Sequence, residues 1–527
     1  MAGIFLPVYS DEIGWRFQER AGIDGLDKMF SDLCGPNTLA VPPLFMMPVR
    51  HFSATLNLWF ADPLYVRLSG IIYALVWLAM LLALVGRIAA DAAQRRVLTI
   101  IAVGLMALAN MPLLLVWSRP EQPLLLAATG AMLIALADRD STAATRTPTA
   151  WLRSAAILLL AAIAMSYHLK GLFLLPLLLA CLIYSSRGPG SAWPRAGAAA
   201  LIAVLAAQAL SYWLGRLDCP GDPLLRAFYA THNFGADLSA IDTPARLFAL
   251  IGELFGNISL WGYIQLAAPS PAPMANWLPA GQIGAEAAGR WNIALALAWF
   301  AVAALMAIGL ARGALACWRK KRLDARIVLA VVLLGSIIAW SATQGVRNVY
   351  EASLILPLLM LGAILAISAG RLEGRAASLR DALALYLGLG AILSMGLTAA
   401  LWAPSLARSN AQTGYIREQA YSLPVFGYGA IKPDILGLAR TCGIPEPAQA
   451  RSLLIDEATY FAFMPSRLPQ HRLGVLGLWK GSIDDPVAYL KSRKSHGMIL
   501  GCHLLPDELR ARAKSRGSLC CIGAKDF

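Results

Sequence analysis

The chain is short of charge. Asp, Glu, Lys and Arg together supply only 14% of its 527 residues, well below the share in a soluble protein of this length. That shortage excludes an ordinary soluble fold: hydrophobic residues make up 58% of the chain, and the excess must meet lipid. Strand-like alternation is missing as well. The apolar runs are uninterrupted and approach the ~20 residues that carry a helix across the hydrocarbon core, which excludes a β-barrel. Internal repeats and low-complexity segments are absent. Neither a GxxxxGK[ST] loop nor a nucleotide fingerprint occurs, so ATP-driven transport and a nucleotide-sugar donor are not expected. The eight cysteines show no metal-ligand spacing. No cleavable signal peptide is expected either, because MAGIFLPVY lacks a charged n-region and a full h-region.

What remains reads as a polytopic α-helical membrane protein with about ten transmembrane helices. The spans fall at roughly Leu68–Gly86, Val97–Trp117, Pro123–Ala137, Arg153–Tyr167 and Gly171–Tyr184, then Ala196–Leu214, Trp291–Ala311, Ile327–Trp340, Ser353–Ala369 and Ala382–Trp402. The connections alternate in character. Arg87, Arg95 and Arg96 lie in one; Arg139, Arg146 and Arg153 in another; Arg187 and Arg195 in a third. The cluster Arg319–Arg322 and the group Arg371, Arg375 and Arg380 complete a basic set, which the positive-inside rule assigns to the cytoplasm. The net charge of +14 is therefore topology, and no nucleic-acid partner is expected. The opposite, outer set holds residues 1–67, the turns Ser118–Pro123 and Tyr167–Lys170, the long loop at about 215–290, the turn Thr343–Glu351 and everything after Pro404.

The outer turns are short, yet they carry Arg119 with Glu121, His168 with Lys170, and Arg347 with Glu351, on the same side as Asp11 and Glu12. Ionisable groups beside the hydrocarbon boundary are costly and point to function. Within the long loop, Thr243 to Leu266 reads as an amphipathic or re-entrant segment on the membrane surface. Residues 405–527 change composition. LLIDEA, HGMILGCHLL and SLCCIGA read as short buried strands and PDELRARAKSR as a polar helix, together a small α/β domain outside the membrane. Cys442, Cys502 and the vicinal Cys520-Cys521 suit either disulfides in an oxidising compartment or buried thiols.

Four stretches carry a resemblance. An acidic pair stands in SDEIGWRFQERAG, and RPEQPLLLA follows a span. HLKGLFLLPLLL opens a span with a basic residue, and RNVYEASLILPLLML sets an arginine and a tyrosine before an apolar run. On these the chain resembles the GT-C glycosyltransferases, integral membrane enzymes that take a sugar from a polyprenyl-phosphate donor. They include the protein O-mannosyltransferases and the bacterial lipid A and cell-wall glycosyltransferases. The resemblance implies a bacterial inner-membrane enzyme of the cell envelope, with its acidic pair in the first extracytoplasmic loop beside an interfacial helix and a periplasmic C-terminal domain. Family members have a helix before the acidic pair where this chain has only MAGIFLPVYS, so a hydrophobic helix encoded in frame upstream of Met1 is expected.

Such transfer needs a base for the acceptor's proton, cations for the leaving phosphate and a lipid groove open to both. Asp11 is the expected base. Glu12 would orient the acceptor or, with Asp11, help hold a divalent cation such as Mg or Mn. Ser10-Asp11-Glu12 also suits a plain helix start. For the phosphate the expected groups are Arg347 and Lys170, then Arg119, though each equally suits a cation snorkelling to lipid headgroups. Tyr350 and Glu351 would add donor contacts. Glu121 reads as the ion-pair partner of Arg119, and His168 more as a structural histidine than a second base. His232 in the long loop would touch the acceptor, a glycan, lipid or protein. Two alternatives stand beside this reading: an O-antigen ligase or polymerase using a lipid diphosphate, and a lipid or solute transporter. Charges spread over several short turns disfavour the first, and span interiors almost free of charge disfavour the second.

Overall fold

The computed structural model describes most of residues 2–16, then 42–59, 62–137, 146–215 except 187, 285–344, 349–411 except 371, and part of 422–526. The chain is largely helical. A short amphipathic helix, α1 (Met47–Trp59), buries Arg50 and Ala54 and exposes Phe52, Leu58 and Trp59. Ten helices of ten residues or more follow among the described residues up to Ala411: α2 (Pro63–Ile88), α3 (Ala92–Met106), α4 (Glu121–Ala135), α5 (Thr147–Tyr167) and α6 (Leu175–Tyr184), then α7 (Ala192–Gly215), α8 (Ala285–Lys320), α9 (Ala325–Gln344), α10 (Val349–Ala369) and α11 (Arg375–Ala411). Each expected span overlaps one of them. Among the described residues five are long and apolar enough to cross a membrane: Pro63–Ile88, Thr147–Tyr167, Ala192–Gly215, Gly289–Lys320 and Arg375–Ala400. Glu121–Ala135, Leu169–Tyr184, Ala325–Ser341 and Ser353–Ala369 are apolar but shorter.

Local chemistry sets the helix starts. Pro63 opens α2 with its φ already suited to the first turn, and the Asp62 carboxylate accepts from the Leu64 N–H at 2.8 Å. Asp91 caps α3 in the same way through Gln94 N–H. The expected span Val97–Trp117 is not one helix. It breaks after Met106, and Ala109 takes a positive φ of 44° that costs a residue with a Cβ. Helix α11 compensates there: the Ala109 N–H donates to Ser394 Oγ at 2.7 Å, Thr398 Oγ1 donates to the Ala109 carbonyl at 3.0 Å, and Trp402 Nε1 donates to Asn110 Oδ1. Backbone freed inside an apolar bundle must find such partners. Gly70 of α2 meets the Val116 carbonyl so closely that no Cβ would fit.

Contacts sort the helix ends into two groups. At one end Arg326, opening α9, donates to the carbonyls of Ser368 (2.8 Å) and Ile88, the last turns of α10 and α2. Arg153 and Arg195 bind carbonyls at the close of α6. Exposed Trp151, Trp193 and Trp318 sit in α5, α7 and α8 beside the basic connections, as interfacial anchors do. At the other end lie the start of α2, the 116–121 turn, residues 168–170 and the C-terminal turns of α7 and α9. Where the connections are described, members of the basic set lie at the first end and members of the other set at the second.

The C-terminal part forms a five-stranded sheet of order β4-β3-β5-β7-β6, with β3 Leu453–Ile455, β4 Gln470–Arg472, β5 Gly497–Gly501, β6 Lys514–Arg516 and β7 Leu519–Gly523. Strands β3, β4 and β5 run parallel, and β7 pairs antiparallel with β5 and β6. The three expected buried strands are β3, β5 and β7. The expected polar helix is shorter than PDELRARAKSR: α13 spans Asp507–Arg512, and Lys514–Arg516 turns into an exposed edge strand. Cys520 and Cys521 point to opposite faces of β7, as neighbours in a strand must. Each is bridged, Cys502–Cys520 on one face and Cys442–Cys521 on the other, where Cys442 ends α12 (Tyr428–Thr441). The open choice between disulfides and thiols is thus resolved for these four residues.

This C-terminal part touches the N-terminal segment. Strand β1 (Val8–Tyr9) pairs antiparallel with β2 (Ser422–Leu423), and Val8, Ile13 and Val66 share one apolar core with α12 and β3.

Candidate functional site

Residues 12–16 form one helical turn that enters the bundle between α2 and the 116–121 turn. Glu12 is fully buried and meets Arg67, also fully buried, in a bidentate pair: Arg67 Nη2 donates to Oε2 at 2.8 Å and Nη1 to Oε1 at 3.1 Å. The same guanidinium donates to the carbonyls of Leu6 and Val116. The Ser118 N–H donates to Glu12 Oε1 at 2.8 Å. One turn later, Arg16 donates to Ser118 Oγ (2.8 Å), Ser69 Oγ (3.1 Å) and the Glu12 carbonyl (2.8 Å). Every strong donor here has an acceptor, which is what makes buried charge tolerable.

A second buried network lies beside it. Glu121, at the start of α4, accepts from Lys170 Nζ at 2.6 Å on one oxygen and from Arg119 Nε at 3.1 Å on the other. Glu121 is thus the partner of Arg119, and also of Lys170, whose ammonium lies over the Trp340 ring at 4.8 Å. His168 holds the next turn in place: its Nδ1 accepts from the Lys170 N–H at 2.9 Å, which leaves the ring proton on Nε2 in the neutral form. The His168 ring lies between Trp15, 4.7 Å away by centroids, and Trp213, 6.0 Å away. Arg50 of α1 covers Tyr212 and Trp213.

Between the networks runs a cleft of about 390 Å³, its open mouth included. It is lined by Trp15, Arg16, Ser53, Ser69, Tyr73, Ser118, Arg119 and Tyr167, with Pro120 and Pro123. The charged residues in its wall are Arg16 and Arg119, both cations, and a cationic wall favours an anion.

Of the expected site residues, the structure brings Arg119, Glu121, His168 and Lys170 together and sets Glu12 next to them. Asp11, Arg347 and His232 lie outside the described residues, as does nearly all of Thr243 to Leu266. Tyr350 and Glu351 belong to the first turn of α10. Glu12 is buried, pairs with Arg67 and accepts from the Ser118 N–H, contacts that anchor the segment. Each carboxylate oxygen of Glu12 and of Glu121 accepts from a cationic side chain. The residues that sequence reasoning missed are Arg16, Arg67, Trp15 and Trp213. Arg67 was read as the edge of a loop, and the signal that could have found it is an arginine five residues into an apolar helix. Compared with known proteins, the chain matches no family model and no curated protein.

Proposed function

We propose that the chain is a GT-C-type membrane glycosyltransferase with ten spans, moving one sugar from a polyprenyl monophosphate to a glycan, lipid or protein acceptor on the periplasmic side of a bacterial inner membrane. The observation that carries this reading is the cleft. Charged groups from four separate segments converge at one end of an otherwise apolar bundle, and their balance is cationic, as a leaving phosphate requires. The two disulfides in the C-terminal part suit an oxidising compartment and so support placing that end outside. In the reaction the acceptor oxygen attacks the anomeric carbon while Asp11 takes its proton. The bond to the phosphate oxygen breaks with inversion, and the phosphate leaves with the electron pair toward Arg119, with Lys170 and Arg347 as further cations. Glu12, locked to Arg67, fixes the turn that follows Asp11.

The test uses membranes containing the full chain and labelled polyprenyl-phosphate-linked sugars. The wild type should transfer label, and Asp11→Asn should cut the rate by about 10²–10⁴-fold at unchanged expression, the usual contribution of a positioned base. Transfer undiminished by Asp11→Asn removes Asp11 as base. A wild type active only with a lipid diphosphate would instead favour the ligase or polymerase reading.

A further inference from the structure

Trp15 is a large flat side chain in the cleft wall, half-buried. It packs on His168, which is itself fixed by the Lys170 N–H and by Trp213. Its sequence neighbour Arg16 is pinned by Ser69 and Ser118, so the turn bearing the indole has little freedom. Ser53, Ser69, Ser118, Tyr73 and Tyr167 also line the cleft. An aromatic platform among serine, tyrosine and arginine side chains is chemically matched to a sugar ring. The C–H face of a sugar is apolar and slightly positive, and it meets the electron-rich indole face, while the ring's hydroxyls need both donors and acceptors. Positive charge grows on that ring as the glycosidic bond breaks, so the same face favours the transition state over the ground state.

We infer that Trp15 is the platform on which the donor's sugar ring stacks, a substrate-binding and specificity-determining residue distinct from the groups that hold the phosphate. The inference rests on the glycosyltransferase reading and goes further by separating sugar recognition from phosphate recognition within one cleft.

Equilibrium binding to the full chain in nanodiscs tests it, with undecaprenyl phosphate either bare or carrying glucose, mannose or arabinose. Trp15→Leu keeps an apolar side chain but removes the π face, and Trp15→Phe keeps a smaller one. Trp15→Leu should weaken binding of the best sugar-bearing lipid by about ten-fold, with bare undecaprenyl phosphate bound as by the wild type. Trp15→Phe should recover most of the loss. Equal loss on bare and sugar-bearing lipid, or no loss on either, overturns the role of Trp15 and leaves the broader reading standing. A wild type that prefers none of the three sugar lipids over the bare lipid, yet transfers sugar, also overturns it. A wild type that neither binds nor transfers any of them overturns both.

Discussion

Glu12 and Arg67 are separated by 55 residues, yet the fold places one carboxylate and one guanidinium together with no solvent on either side chain. Desolvating both is costly. Their mutual attraction recovers that cost only because Leu6, Val116 and Ser118 satisfy the remaining donors and acceptor. Removing one partner leaves the other as an uncompensated buried charge. Arg67→Met and Glu12→Leu should each lower stability by about 3–5 kcal/mol, whereas the double variant should lose less than either single change, because no lone charge remains. Thermal unfolding in detergent measures all three. Additive losses would mean that the two side chains act independently. The sequence could not disclose this pair. Glu12 beside Asp11 looks like a second functional acid, and no local rule links it to an arginine at the start of a distant helix.

At the scale of elements, much more was legible. Apolar runs fix helices because lipid removes every alternative partner for the backbone. The buried strands of the C-terminal sheet could be read from their unbroken hydrophobicity. What escaped is what depends on distant partners. The break at Ala109 needs Ser394, Thr398 and Trp402 to hold it, and all three belong to a helix nearly 300 residues later. Lys514–Arg516 looked helical because an exposed edge strand is as polar as a helix surface; only pairing with Leu519–Cys521 makes it a strand. The vicinal cysteines belong to this scale too. Cys442–Cys521 closes a loop with a sequence separation of 79 and ties α12 to the central strands. Replacing both cysteines with serine should lower stability by about 2–5 kcal/mol, read as an earlier unfolding transition under non-reducing conditions. Peptide mapping of the unreduced wild type should recover Cys442 with Cys521 and Cys502 with Cys520. Swapped partners would refute the two-faced arrangement about β7.

For the whole molecule, the central question is which end of the bundle faces which compartment, because the proposed donor, base and acceptor must meet on one side. Two independent features agree. The basic connections collect at the end marked by Trp151, Trp193 and Trp318, and the disulfide-bearing sheet shares its core with Val8, Ile13 and Val66 at the other. The proposed topology puts the retained positive charge and the oxidised cysteine pairs on opposite sides of the same membrane. Single cysteines at two exposed lysines, each in a background without other reactive thiols, turn this into a measurement. In intact spheroplasts a membrane-impermeant maleimide should label Lys525→Cys, next to β7, and should reach Lys320→Cys, at the end of α8, only after lysis. The reverse pattern would put the cleft in the cytoplasm, where a lipid-linked sugar awaiting transfer outside could not be used. Labelling of both sites in intact cells would mean an odd number of crossings fewer or more than proposed between α8 and the C-terminal sheet, and the count of spans would then have to change before the chemistry could stand.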